Sequence, residues 1–183
     1  MLLINEYYVW KIMAFITISA DSSIEEKISW ADACYRKYKN TFLEDVKIQK
    51  LLNDFQKASS ESLEEMIIIG LVEECRKCEE EEGGACCGKG IENRYSGTLL
   101  LINLLLGTKL PRKAPDPKSC FFLGTKGCSL SARHVICVNY ICKKITDSIP
   151  GQALNHLREK EGTELDILFI LNEKIKSVLR NLK

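Results

Sequence analysis

Apolar positions recur at helical spacing at both ends of this chain and lose that rhythm in the middle. In the first third, Ile28, Ala31, Tyr35 and Tyr38 fall three or four residues apart, and Val46, Leu51, Leu52 and Phe55 do much the same. Ser23-Ile24-Glu25-Glu26 places a serine three residues before a glutamate, a capping box that predicts a helix over 24–39. Thr41-Phe42-Leu43-Glu44 repeats the signature and predicts a second helix to about residue 57. Ser62-Leu63-Glu64-Glu65 predicts a third, with Leu63, Met66, Ile67, Gly70, Leu71 and Glu74 along one side. Near the other end, Pro150 and Gly151 precede a helix over 151–160, and Gly162 separates it from a last helix over 164–182. Leu165, Leu168, Leu171 or Asn172, Ile175, Val178 or Leu179, and Leu182 give that helix a seam of alternating three and four spacing.

The centre reads differently. The third helix is expected to break in Glu79-Glu80-Glu81-Glu82-Gly83-Gly84-Ala85, so that Cys75 and Cys78 ride its last turns. At i and i+3 the two thiols share one face. Residues 98–106 are nearly all apolar; leucine dominance, Ser96 or Gly97 in front and Gly107 behind favour a buried helix with a glycine stop. Three prolines and several lysines make 108–119 an irregular connection. Residues 120–128 form a compact turn holding Gly124 and Gly127, and 137–146 returns to helix. The fold class expected is mainly α, a small irregular cysteine-bearing centre supported by flanking helices. The organisation follows as an apolar extension over 1–20, helices over 21–69, a cysteine-cluster region over 70–148 and helices over 149–183.

Composition sharpens the central part. A chain of 183 residues buries enough core to fold without crosslinks. Its nine cysteines, about 5%, fall below the level of a disulfide scaffold and point to thiols kept as ligands in a reducing, cytoplasmic compartment. A disulfide-stabilised secreted interaction protein is the alternative. Residues 1–20 are apolar but interrupted by Glu6 and Lys11, too short in clean run for a membrane span. With Glu6 as first charge they do not resemble a signal peptide, and Met13 is an alternative start. Net charge is +1, which argues against nucleic acid as partner. The charge is segregated all the same: 61–82 holds nine acidic residues against Arg76 and Lys77, and 109–144 eight basic ones against Asp116. Cations near a four-thiolate site would offset its negative charge, and a polyanion-binding surface is the competing account. The flanking helices are a candidate face for a protein partner.

Eight cysteines carry the candidate chemistry: Cys75-x2-Cys78-x7-Cys86-Cys87, then Cys120-x7-Cys128-x8-Cys137-x4-Cys142. In chain order they make two groups of four. Four thiolates satisfy a structural zinc or an iron–sulfur cluster such as [4Fe–4S]. With only one Cys-x2-Cys knuckle, a generic zinc ribbon fits poorly. Neighbouring side chains diverge, so Cys86 and Cys87 are more naturally assigned to different metal atoms. Cys34, alone in the first helix, reads as a small apolar core residue. His134 reads as core-lining or solvated, with a ligand role as the alternative, and His156 as a surface residue. No Cys–His–acid set, P-loop or dinucleotide fingerprint is present.

Cys75-x2-Cys78 followed by Ala85-Cys86-Cys87-Gly88 resembles the CxxCxxCC motif of the YkgJ-type cysteine-cluster proteins, described as zinc- or iron-chelating. Cys120-Phe121-Phe122-Leu123, Gly127-Cys128-Ser129-Leu130, Arg133, Cys137 and Tyr140-Ile141-Cys142 extend the likeness over residues 70–145. Two departures stand out: seven residues separate Cys78 from Cys86 where the family has two, and His134 stands in place of a proline. The resemblance implies metal binding through Cys75, Cys78, Cys86, Cys87, Cys120, Cys128, Cys137 and Cys142. It also implies a distant relation to flagellin lysine N-methylases, whose similar cluster is associated with iron–sulfur-linked methyl transfer. An iron–sulfur-dependent protein-modifying or redox enzyme is the corresponding alternative function.

Overall fold

The computed structural model describes residues 18–82, 86–125 and 127–182, and the apolar extension over 1–17 and the Gly83-Gly84-Ala85 loop lie outside them. The chain is mainly helical, as the pattern predicts: α1 (Ile24–Glu44), α2 (Val46–Ile68), α3 (Leu71–Glu82), α4 (Gly97–Leu105), α5 (Val135–Asn139), α6 (Lys143–Ser148) and α7 (Gly151–Asn181). A 3-10 turn over Ile91–Arg94 and a two-stranded hairpin, β1 (Leu123–Gly124) and β2 (Gly127–Cys128), complete the described elements. None of the helices among the described residues is long and apolar enough to cross a membrane.

Several helix boundaries differ from expectation. The Ser23 capping box forms, with the Ser23 hydroxyl accepting from the Glu26 N–H and the Glu26 carboxylate from the Ser23 N–H. The helix it opens continues through Thr41 to Glu44, and Asp45 caps the next one by accepting from the N–H groups of Lys47 and Ile48. The predicted second and third helices are one, α2, running straight through Ser62. Its buried positions Ile48, Leu52, Phe55, Ala58, Ser62 and Glu65 keep three and four spacing across the supposed gap. Gly70, at φ +78°, supplies the stop instead. Gly162 likewise sits inside an unbroken α7, whose buried seam is Leu157, Glu161, Glu164, Leu168, Leu171 and Ile175. A packed seam outweighs the roughly 1 kcal/mol that an interior glycine costs a helix. Glu164 therefore takes the place in the seam expected of Leu165. It is fully buried with neither carboxylate oxygen hydrogen-bonded. Leu165 itself is half-buried.

The flanking helices pack on each other, as expected of them. Helices α2 and α7 form the principal contact and run antiparallel, pinned by Lys174–Asp45 (2.7 Å) at one end and His156–Glu65 (3.1 Å) at the other. Helix α4 lies against α1 and carries the expected signals: Ser96 caps it, and Gly107 follows it at φ +84°. The core is continuous from α1, α2 and α7 through α4 into Cys120, Phe121, Phe122 and Leu130. A second, smaller core gathers Leu71, Ile145, Ile149 and Leu157. These two cores position the cysteines.

Candidate metal centre

The larger core builds one thiol set from the backbone up. The Cys120 N–H donates to the Cys87 carbonyl at 2.8 Å, and Gly88 and Ser119 form an antiparallel bridge beside it. This stitches two segments more than thirty residues apart. The chain then turns, the Leu123 N–H donating to the Cys120 carbonyl, into the hairpin that pairs Leu123 with Cys128. Gly127, at φ +95°, makes the tight return. Ser129 closes the loop by donating its N–H and its hydroxyl to the Phe122 carbonyl at 2.8 and 3.0 Å.

Tyr95 joins the fourth thiol to this unit. It is 1% exposed, and its hydroxyl accepts the His134 N–H at 3.1 Å and donates to the Cys137 sulfur at 3.8 Å. The ring packs edge-on against Phe122. His134 caps α5, its Nδ1 accepting from the Ile136 N–H at 3.2 Å, and so it is a positioning residue for Cys137 in the third position of that helix. Burial, then the nearby Arg94, lowers its pKa and keeps the capping nitrogen neutral. Asn103 fixes the segment between the hairpin and α5. Fully buried in α4, it donates to the carbonyls of Leu99 and Ala132 and accepts from the Ala132 N–H at 2.9 Å.

Cys87, Cys120, Cys128 and Cys137 accordingly face a common region, and their electrostatics say the same. Burial pushes the Cys87 thiol up to about 11, and Cys128, Cys120 and Cys137, then the neighbouring Cys86, add to the shift. Burial also raises Cys120, with Glu92, Cys128 and Cys137 adding to it against a backbone hydrogen bond. Cys128 belongs to an exposed residue on the hairpin, yet its thiol is raised by desolvation and pulled back by a backbone N–H, Arg133 and the Tyr95 hydroxyl. Exposure and desolvation disagree for this residue; its link to the buried Tyr95 favours a sulfur turned inward.

The second set is built on α3. Cys75 and Cys78 lie on one face of a helix that extends to Glu82, not in the last turns of one that ends before the glutamates. The Arg76 ion pairs with Glu73 and Glu80 support this extension. Cys142 arrives from the other side, as the residue before α6, packed on the small core with Leu71 and Ile145. Cys75 is raised by burial first, then by Cys142, Cys86, Cys78 and Glu74. Cys86 is raised by burial, then by Cys142 and Cys78.

The eight cysteines thus sort into an inner set (Cys87, Cys120, Cys128, Cys137) and an outer set (Cys75, Cys78, Cys86, Cys142). The division falls between the neighbours Cys86 and Cys87. These sets cut across the two groups of four in chain order. Cys142 leaves the last four because residues 140–142 are extended between α5 and α6, which carries it from the larger core to the smaller one. Cys78 raises Cys86 across the seven-residue gap, after burial and Cys142.

No disulfide joins any of the nine cysteines. Cys34 packs against the larger core, where burial raises its thiol to about 11, in keeping with its reading as a core residue. Among the described residues, no three histidine, cysteine or carboxylate side chains are drawn tightly enough together to hold a metal ion as they stand. A scan of family models and searches of curated proteins and of solved structures give no match to this chain. Pattern reading overlooks three buried polar residues around the inner set: Tyr95, Asn103 and Lys27, whose ammonium donates to the carbonyls of Ala20 and Asn93 at 2.8 Å. Asn103 leaves a signal, the one amide in an otherwise apolar helix; Tyr95 and Lys27 leave none.

Proposed function

We propose that this chain is a metal-binding protein with two four-thiolate centres, the inner and the outer set, each taking zinc or an iron–sulfur cluster. The observation that supports it is the convergence of eight cysteines into two groups of four, with the boundary inside a Cys-Cys dipeptide. Unrelated core thiols have no reason to gather in fours. Disulfides would gather them in twos. Burial first and neighbouring thiols after it raise Cys75, Cys86, Cys87, Cys120 and Cys128, so ionising them carries a cost that a bound cation reverses.

The donor chemistry fits, and the approach is incomplete: binding has to draw the sulfurs inward. Cys86 lies outside the helices and strands and Cys128 in a two-residue strand, so neither is held inside a long rigid element. Tyr95 would act beyond the ligands, its hydroxyl donating to Cys137 and setting the orientation and basicity of that sulfur. Arg133 would offset part of the negative charge at Cys128. The YkgJ-type pattern of eight cysteines supports the same reading.

Metal and sulfide analysis of protein purified without oxygen tests it. Two zinc ions per chain and no visible absorption would remove the iron–sulfur form. Iron with acid-labile sulfide and a visible charge-transfer band would remove the zinc form. Thiols that stay unreactive after denaturation without reductant, in a protein free of metal, would overturn the proposal in favour of a disulfide framework.

A further inference from the structure

The two sets differ in what holds them, and the difference bears on how a metal would leave. Resting on the metal-binding reading above, we infer that the outer set is an exchange site, through which a divalent ion passes to and from other thiol-bearing acceptors, whereas the inner set keeps its ion while the chain stays folded.

Exposure comes first. Cys75 and Cys86 are exposed, and Cys78 and Cys142 are half-buried; in the inner set only Cys128 is exposed, Cys87 and Cys137 are half-buried, Cys120 is buried, and the set packs on Tyr95 and Phe122. An incoming ligand reaches a sulfur of the outer set from solvent. At the inner set it finds one exposed residue, Cys128, with the aromatic side chains of Tyr95 and Phe122 packed behind the set. The cost of opening comes second. Helix α3 has α2 as its main packing partner and buries Leu71 near its start, so its far end, with Cys75 and Cys78, moves without breaking the larger core. Opening the inner set breaks the Cys120–Cys87 backbone bond, the Gly88–Ser119 bridge and the Tyr95 hydrogen bonds. The field comes third. Helix α3 carries six glutamates against Arg76 and Lys77, which raises the local concentration of a cation at the outer set. In the exchange each acceptor thiolate replaces one protein thiolate on the ion. The displaced sulfur takes up a proton, and no electron is transferred.

The test uses the full chain reconstituted with zinc alone and challenged with an excess of a chromogenic chelator, while far-UV circular dichroism follows the helices. Two phases of equal amplitude are expected, at least about tenfold apart in rate, the fast one leaving the helical signal unchanged. Cys86→Ser and, independently, Cys75→Ser should each abolish the fast phase and keep the slow one. Two zinc ions released in a single phase, or a fast phase that survives both substitutions, would overturn the exchange site and leave metal binding intact. A chain that takes up fewer than two zinc ions and, purified without oxygen, carries no iron–sulfur cluster would overturn the metal-binding reading itself, and the exchange site with it.

Discussion

The inner and outer thiol sets offer the same four sulfurs and sit in opposite surroundings. The inner set is assembled by the fold: a backbone hydrogen bond, a bridge, a hairpin and a buried tyrosine set its positions before any ligand arrives. The outer set is assembled by adjacency, with two thiols on one helix face, one at the exposed Cys86 and one at the end of a short extended stretch. Ligand identity says what can bind; the packing behind each sulfur decides how firmly. Cys86 and Cys87 show this within one dipeptide. The Cys87 carbonyl is tied to Cys120, and Cys86 is an exposed residue.

The largest expected difference comes from removing one ligand at each set. Cys120→Ser should take one metal equivalent from the inner site and lower folding stability by more than about 3 kcal/mol. Part of a site whose apparent binding energy is about 10–16 kcal/mol in small zinc domains is then lost. Cys86→Ser should also remove one equivalent, with a cost under about 1 kcal/mol because its surroundings are solvent. Urea unfolding combined with metal counting measures both. Equal losses of stability would erase the distinction between the sets.

Next in size is Tyr95→Phe. The ring and its contact with Phe122 remain, but the His134 N–H loses its acceptor and Cys137 its hydroxyl donor. An unpaired buried donor costs about 1–3 kcal/mol. Urea midpoints should fall accordingly, and the slow release phase should quicken while the fast one holds. A change confined to the fast phase would contradict the assignment of Tyr95 to the inner set.

Gly70→Ala probes the outer set through its backbone. A methyl group at Gly70 meets nothing within 4 Å, so the cost is that of a left-handed φ alone, about 1–2 kcal/mol. Gly88, beside the inner set, also has open space but no positive φ, and Gly88→Ala should change stability by less than about 0.5 kcal/mol. Thermal unfolding of the two variants gives the comparison. A larger loss at Gly88 would mean that its bridge to Ser119 governs the region.

What was legible in the chain follows the range of the forces involved. Ser23, Ser96 and Gly107 mark helix ends through bonds and dihedrals a few residues long, and they stand where the pattern puts them. Ser62 and Gly162 carry equally good local signals, but the seam between α2 and α7 overrides both. The eight cysteines could be recognised as a set from spacing. Their partition could not, since it depends on which core receives residues 140–142. Tyr95 was invisible for the same reason: its partners, His134 and Cys137, lie about forty residues away.

The smallest effect concerns the ninth cysteine, which belongs to neither set and so measures what burial alone does to a thiol here. Cys34 is raised from 9.0 to about 11, chiefly by burial, with Lys37 opposing. Below pH 9 the thiol is protonated in both folded and unfolded chains, and its contribution to stability is whole. As pH rises towards 11 the unfolded chain ionises first and binds fewer protons, so stability falls until the folded thiol ionises as well. The loss amounts to about 1 kcal/mol at pH ~10 and vanishes at pH ~7. Cys87 and Tyr95 are raised too, so the readout is the difference between the metal-free parent chain and Cys34→Ala across this range. Urea midpoints of the two should run parallel at neutral pH, and the parent should fall more steeply above pH ~9. Parallel curves throughout would show that the Cys34 thiol is as hydrated as an exposed one, and that burial by this core is not what raises the inner-set thiols.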